Sequence, residues 1–399
     1  MKLLLTLITT LALAAQLQAK PLQVFILAGQ SNMQGHAQVS TFEHIGMDPA
    51  TKPMLAEMLG PDGKPKVCGR VWISSIGCAD AEQTGKLTAG FGASAGKIGP
   101  EFTFGIYMEK FTDAPILLIK TSWGGKSLHT DFRPPGAGPY VFSEAQLAAF
   151  LSKGKDVAAM KEEKAAATGV SYRLMVGHVK MVLADLKRVV PDYDVAQGYE
   201  LAGFAWFQGW NDMVDGDTYP QRDKPGGYDV YSGAMVHFIR DVRKDLNAPK
   251  LPFVIGVLGV GGPTAEYGPG QLRYQATHQN FRDAMAAPAS LPEFKGNVAT
   301  VLAEKYWDLE LSTAKAKENE INQRAKKLAE DGNQTPADDQ ATLEKLRAGG
   351  LTERERLVIE KGISNLEFHY LGSAKILGGV GKGFAEAMAE LKHFKKTKS

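Results

Sequence analysis

Several short runs in this chain are apolar at every position and stop abruptly at glycine or a polar cluster. Val24–Ala28 stops at Gly29-Gln30-Ser31-Asn32, and Ile116–Ile119 stops near Thr121-Ser122-Trp123-Gly124-Gly125. Leu201–Phe207 stops at Gln208-Gly209-Trp210-Asn211-Asp212, and Phe253–Val260 at Gly261-Gly262-Pro263, while Asn297–Leu302 is a weaker example. A run without alternation suits a strand buried on both faces, as in a parallel sheet. Helical patterns lie between the runs. One opens at Pro100-Glu101 and continues to Lys110, with proline and an acid where a helix start favours them. Others span Tyr172 to Val190, stopped by Pro191, and Tyr231 to Leu246. The alternation predicts a three-layer α/β domain around a central parallel sheet. A site in such a sheet lies beyond the carboxyl ends of the strands, where the polar clusters fall.

Two stretches read as helical insertions into this single domain, residues 129–170 and 305–362. The first starts with the Pro/Gly loop Asp131-Phe132-Arg133-Pro134-Pro135-Gly136. The second is strongly charged, with cap signals at Thr335-Pro336-Ala337-Asp338 and Thr352-Glu353-Arg354-Glu355. Ahead of the domain, Lys2 precedes an apolar run from Leu3 to Ala15, and small residues follow to Ala19. That layout is a secretory signal over residues 1–19, too short to span a bilayer, so the mature protein is expected to be periplasmic or secreted. In an oxidising compartment a disulfide between Cys68 and Cys78 is the default expectation. A formal net charge of +2 gives no electrostatic footprint for nucleic acid. No later segment reads as a membrane span, and no ligand spacing suggests a metal or other cofactor. Oligomeric state is open.

The strand ends together hold the parts of an acyl-transfer site. Such a site needs a nucleophile, a base and donors aimed at the developing oxyanion. Ser31 is the candidate nucleophile. Its own N–H, the N–H of Gly124 or Gly125, and the Gln208 side-chain amide are candidate oxyanion donors. A serine is also a favoured helix N-cap, so Ser31 alone would not decide the matter. The stretch also lacks the G-x-S-x-G elbow, because Met33 stands where the last glycine belongs.

The blocks Gly29-Gln30-Ser31-Asn32-Met33, Gly99–Gly105, Thr121–Gly125, Phe207–Asp212 and Phe368–Gly372 resemble the sialate O-acetylesterase-like branch of the SGNH hydrolases, which includes the acetylxylan esterases of carbohydrate esterase family 6. The resemblance runs from Val24 to Met388, outside the two insertions. It implies a flavodoxin-like parallel sheet, a serine after the first strand, and a histidine in a late loop before the last helix. That histidine is His369, since the helical run Ala374 to Leu391 follows it. The chain departs from the family at Trp210, where an acid is usual, and at Leu366, three before the histidine, where the family places its aspartate. Glu367 is the candidate replacement, with Asn365 four before His369; a distant acid or a backbone carbonyl are the alternatives.

The expected activity is removal of O-acetyl groups from a carbohydrate by a serine esterase. Asn32, His36, Trp210, Asn211, His129 and Arg133 are candidate substrate contacts, Trp210 by stacking on a sugar face. A catalytically weak carbohydrate-binding relative is the alternative, motivated by the same departures.

Overall fold

The computed structural model describes residues 20–332 and 336–394. The signal-like segment, the Thr335 cap and the extreme C-terminal lysines lie outside them. The strands are β1 (Leu22–Gly29), β2 (Ala37–Gln38), β3 (Val71–Ile76), β4 (Gln83–Lys86), β5 (Lys97–Ile98), β6 (Ile116–Ser122), β7 (Tyr199–Phe207), β8 (Phe253–Val257) and β9 (Val298–Leu302). Seven of them form one sheet in the order β4-β3-β6-β1-β7-β8-β9, and β2 and β5 pair separately. Every neighbour in the large sheet is parallel except the edge strand β4, which runs antiparallel to β3. Residues of β1 and β6 are buried throughout, as their unbroken apolar runs require.

The helices are α1 (Ser31–Gln34), α2 (Phe42–Gly46), α3 (Lys52–Met58), α4 (Pro100–Met108), α5 (Glu144–Ser152), α6 (Val157–Ala167), α7 (Val170–Ala184), α8 (Trp210–Val214) and α9 (Asp229–Asp245). They continue with α10 (Gln275–Ala286), α11 (Leu309–Gly332), α12 (Pro336–Gly350), α13 (Glu353–Gly362) and α14 (Ala374–Leu391). α5 and α6 lie within residues 129–170, and α11, α12 and α13 within residues 305–362. α13 opens with the capping box expected of Thr352 and Glu355. α4 and α14 pack against each other, so closely that a Cβ on Gly381 would stand 2.1 Å from the Pro100 carbonyl oxygen. Among the described residues no helix is long and apolar enough to cross a membrane.

The topology fixes where a cleft can open. From β1 the chain turns to one side of the sheet, toward β3. From β7 it turns to the other, toward β8. The crevice of an α/β sheet lies where neighbouring connections diverge in this way, here between the carboxyl ends of β1 and β7.

The expected disulfide is not formed: Cys68 and Cys78 are both free thiols. The reason is β3, which runs between them. Its 6 residues span about 20 Å, far beyond the reach of a disulfide. Cys68 is buried, which pushes its thiol up to about 12. Cys78 Sγ lies 3.5 Å from Ser122 Oγ, beyond the opposite end of the strand.

Candidate active site

Ser31 is the first residue of α1 and is 7% exposed. Its hydroxyl has no hydrogen-bond partner among the described residues, so its lone pairs are unspent. α1 ends at Gly35, whose φ of +89° and close contact with Gly99 admit no side chain: a Cβ would lie 2.0 Å from Gly99 Cα. Below the turn, Lys120 projects from β6 and is fully buried. Its Nζ donates to the carbonyls of Gln34 and Phe91, each at 2.7 Å, and to Glu101 Oε2 at 2.8 Å. Glu101 Oε1 in turn accepts from Gly99 N at 2.8 Å. Burial raises the Glu101 carboxyl and the Lys120 charge opposes that rise. Glu101 therefore braces the serine turn through a lysine that hydrophobic patterning alone assigns to a strand interior.

The histidine loop reaches this turn directly. Asn32 Nδ2 donates to the Phe368 carbonyl at 3.2 Å, joining the residue after Ser31 to the residue before His369. Asn32 is 1% exposed, so it is a clasp between two loops and not the substrate contact expected of it. The loop itself is strained. Tyr370 (φ 54°) and Leu371 (φ 58°) are both left-handed without being glycine, at a cost of order 1–3 kcal/mol each. Leu371 O accepts from Ser364 N and Asn365 N at 2.9 and 3.0 Å. The buried Tyr370 hydroxyl accepts from Gly259 N at 3.0 Å. These bonds hold the conformation that presents His369.

The partner of His369 is not Glu367. Glu367 is exposed, and the His369 Nδ1 atom lies 2.8 Å from Asn365 Oδ1. The same oxygen accepts from Leu366 N at 2.8 Å, which identifies it as the amide's acceptor end. An acceptor there requires the proton on Nδ1 and leaves the lone pair on Nε2, the tautomer a general base needs. The loop geometry puts position 365 beside the ring, and among the described residues no hydrogen bond joins Glu367 to it. Asn365 carries no charge but supplies the acceptor that a triad carboxylate would. Burial, then the Lys97 charge, holds the His369 imidazole down to about 4.

At the end of β7 the structure redistributes the expected roles. Gln208 is fully buried, and its Nε2 faces Asp212 Oδ2 (2.6 Å), Lys126 O (3.1 Å) and Gln30 Oε1 (3.2 Å). With its donors spent inside the protein, Gln208 cannot be the oxyanion donor expected of it. The sequence signal was Asp212, 4 residues later, whose carboxylate also accepts from Leu128 N, His129 N and Tyr219 OH. A free amide donor does exist nearby. Gln30 Nε2 donates to Asn211 Oδ1 at 2.8 Å, which fixes that amide and leaves Asn211 Nδ2 without a partner among the described residues. Gly124 and Gly125 are exposed, and their N–H groups are likewise unspent.

His129 and Arg133 do not serve as substrate contacts in this arrangement. His129 is 6% exposed, with Nε2 3.0 Å from Asp215 and Nδ1 2.7 Å from Thr130 Oγ1. Arg133 donates to the carbonyls of Gly138, Ala137 and His129, so it holds the Pro/Gly loop closed. Trp210 is partly exposed and stacks on Phe368, with ring centroids 5.6 Å apart. His36 stacks on His369, with centroids 3.9 Å apart and planes within 1°. Among the described residues no group of acidic, histidine or cysteine side chains is arranged to hold a metal.

The model of a family described as carbohydrate esterase, sialic acid-specific acetylesterase matches residues 21–306. The histidine loop lies beyond that match. Among solved structures, an Arabidopsis thaliana protein is similar at 19% identity, over 71% of this chain and 86% of that one, with a TM-score of 0.38. A carbohydrate acetylesterase from Xanthomonas citri is similar at 13% identity, over 72% of this chain and 51% of that one, with a TM-score of 0.39. This chain thus spans about half the length of the Xanthomonas protein. No curated protein matches.

Proposed function

The chain belongs to the carbohydrate esterase, sialic acid-specific acetylesterase family, and on that premise we propose that it is an exported serine esterase that removes O-acetyl groups from a carbohydrate. Ser31 Oγ attacks the acetyl carbonyl while His369 Nε2 takes its proton. Nε2 then returns that proton to the departing sugar hydroxyl, leaving an acetyl-serine. Water, deprotonated by the same nitrogen, releases acetate and restores Ser31. The N–H groups of Ser31 and of Gly124 or Gly125 receive the oxyanion, with Asn211 Nδ2 in the place expected of Gln208. The acetyl group is small, so recognition falls to the sugar side, where Trp210 offers a stacking face.

One observation carries this reading. The Asn32–Phe368 bond draws the serine turn and the histidine loop together, while Asn365 sets the required tautomer. Export is supported by the charged and apolar pattern of residues 2–19. The test is acetate release from a panel of acetylated polysaccharides and acetylated sialic acids. Wild type releases acetate from at least one, while Ser31→Ala and His369→Ala each lose about 10³-fold or more in kcat. Full activity in Ser31→Ala overturns the reading.

Asn365 itself favours a second reading, a carbohydrate-binding relative with weak turnover. An amide cannot neutralise an imidazolium as a carboxylate does. That reading expects saturable sugar binding by calorimetry with no acetate released from any member of the panel.

A further inference from the structure

If His369 is the base, Asn365 solves the problem of its orientation and leaves the problem of its charge. When Nε2 takes a proton, the ring becomes an imidazolium. In a serine triad a carboxylate stabilises that cation. Here the Nδ1 partner is a neutral amide oxygen. The charged side chains that bear on the ring pair are Lys97 and Lys120, both of the wrong sign. What lies over the ring is His36.

The stack is built by the backbone on both sides. His36 follows Gly35, whose left-handed turn is packed on Gly99 and whose carbonyl accepts from Ala93 N at 2.8 Å. After His36 the chain enters β2, which is paired with β5. Ser364 Oγ accepts from Gln38 N at 3.1 Å, donates to Gly372 O at 2.7 Å and lies 3.3 Å from the His36 carbonyl. Ser364 and Gly372 flank the histidine loop, so the two rings are referenced to one another through the main chain. The result is face-to-face contact at 3.9 Å with planes within 1°. Phe368 meets the His369 ring at 64°, its centroid 4.3 Å away. Burial, then His369, Lys97 and Lys120, hold the His36 imidazole down to about 4, so it is neutral near pH 7. A neutral aromatic face over a partly desolvated cation is attractive.

We propose that His36 is a positioning residue for the deacetylation reaction: stacked on His369, it holds the ring plane and lays a neutral π face against the imidazolium that forms there, in partial place of a triad carboxylate. This rests on the reading of His369 as the base. The role belongs to the transition state, because the cation exists there and not in the ground state, so its loss lowers kcat and leaves KM unchanged.

The experiment compares steady-state acetate release by wild type, His36→Phe, His36→Leu and His369→Ala, on whichever acetylated sugar the wild type turns over. Phenylalanine keeps an aromatic face and leucine covers the ring without one. The expected result is a kcat for His36→Leu about 3- to 30-fold below wild type. His36→Phe is expected to recover at least threefold of kcat over His36→Leu, with KM within about twofold throughout. Equal kcat for the Phe and Leu variants, at any level, overturns the proposal. So does a loss that appears in KM, which would make His36 a substrate contact. If His369→Ala keeps wild-type activity, the reading of His369 as base is what fails. If His369→Ala is inert while Phe and Leu coincide, only the stack fails.

Discussion

Asn365 works because its oxygen is identified twice, by Leu366 N–H and by the His369 ring. Replacing the amide by a carboxylate keeps both acceptor contacts and adds a charge. Asn365→Asp is therefore expected to favour the imidazolium and raise the His369 pKa. In the wild type that imidazole is held down to about 4, so under the proposed mechanism the base is neutral above that pH and activity is expected to fall only as pH drops through it. In Asn365→Asp the acid limb of kcat/KM moves to higher pH by about 1–3 pH units, the effect of a close opposite charge. A pH–rate profile of the two proteins checks this, and an unmoved limb would show that Asn365 does not partner the base. At this scale the sequence was partly legible. Ser31, His369, Trp210 and the paired glycines stand where strand ends and a late loop were expected to put them. Asn365, Phe368 and His36 as a ring partner were not recoverable. Their roles come from a loop with two left-handed residues, Tyr370 and Leu371, that nothing in their side chains announces.

The element that positions the serine is α1, 4 residues long and far too short to be stable alone. It stands on the Lys120–Glu101 pair, both side chains 0% exposed. Removing one member strands the other charge in the core. Lys120→Met is expected to cost about 3–5 kcal/mol in unfolding free energy, whereas Lys120→Met with Glu101→Leu costs less than the single change. Urea denaturation of both variants decides it, and a double variant less stable than the single one would contradict the pair. The apolar runs at β1, β6, β7 and β8 and the helices α4, α7 and α9 were legible because burial on both faces, or amphipathic spacing, leaves a direct mark. β3 was not, because Ser74 and Ser75 interrupt its run. Both are buried, and Ser74 is satisfied by Glu82 and His178, at 2.6 and 2.8 Å. The end of β7 misled in the opposite way. Gln208 looked like a free donor until Asp212 claimed it.

For the molecule as a whole, several histidines are held below their ordinary range. His36, His278 and His369 are held down to about 4, each chiefly by burial, and His44 and His178 are shifted the same way. Their imidazoles bind protons more weakly folded than unfolded. Between about 6.5 and about 4 the unfolded chain therefore carries more protons, and stability rises with pH across that window. Thermal melts should show Tm falling as pH is lowered from about 7 to about 4, and substituting His278 by Gln should flatten that fall. A Tm independent of pH there would contradict it. The Asn32–Phe368 bond has a different consequence at this scale. It joins positions 336 residues apart in the chain. A ribosome has finished the serine turn long before it makes the histidine loop, and α14 still has to dock after that. Under the proposed mechanism the nascent polypeptide until then holds half a reaction centre, so turnover would certify that the chain has folded through α14. On that mechanism a chain clipped between α11 and α13 and parted from its tail keeps its serine and is expected to release no acetate.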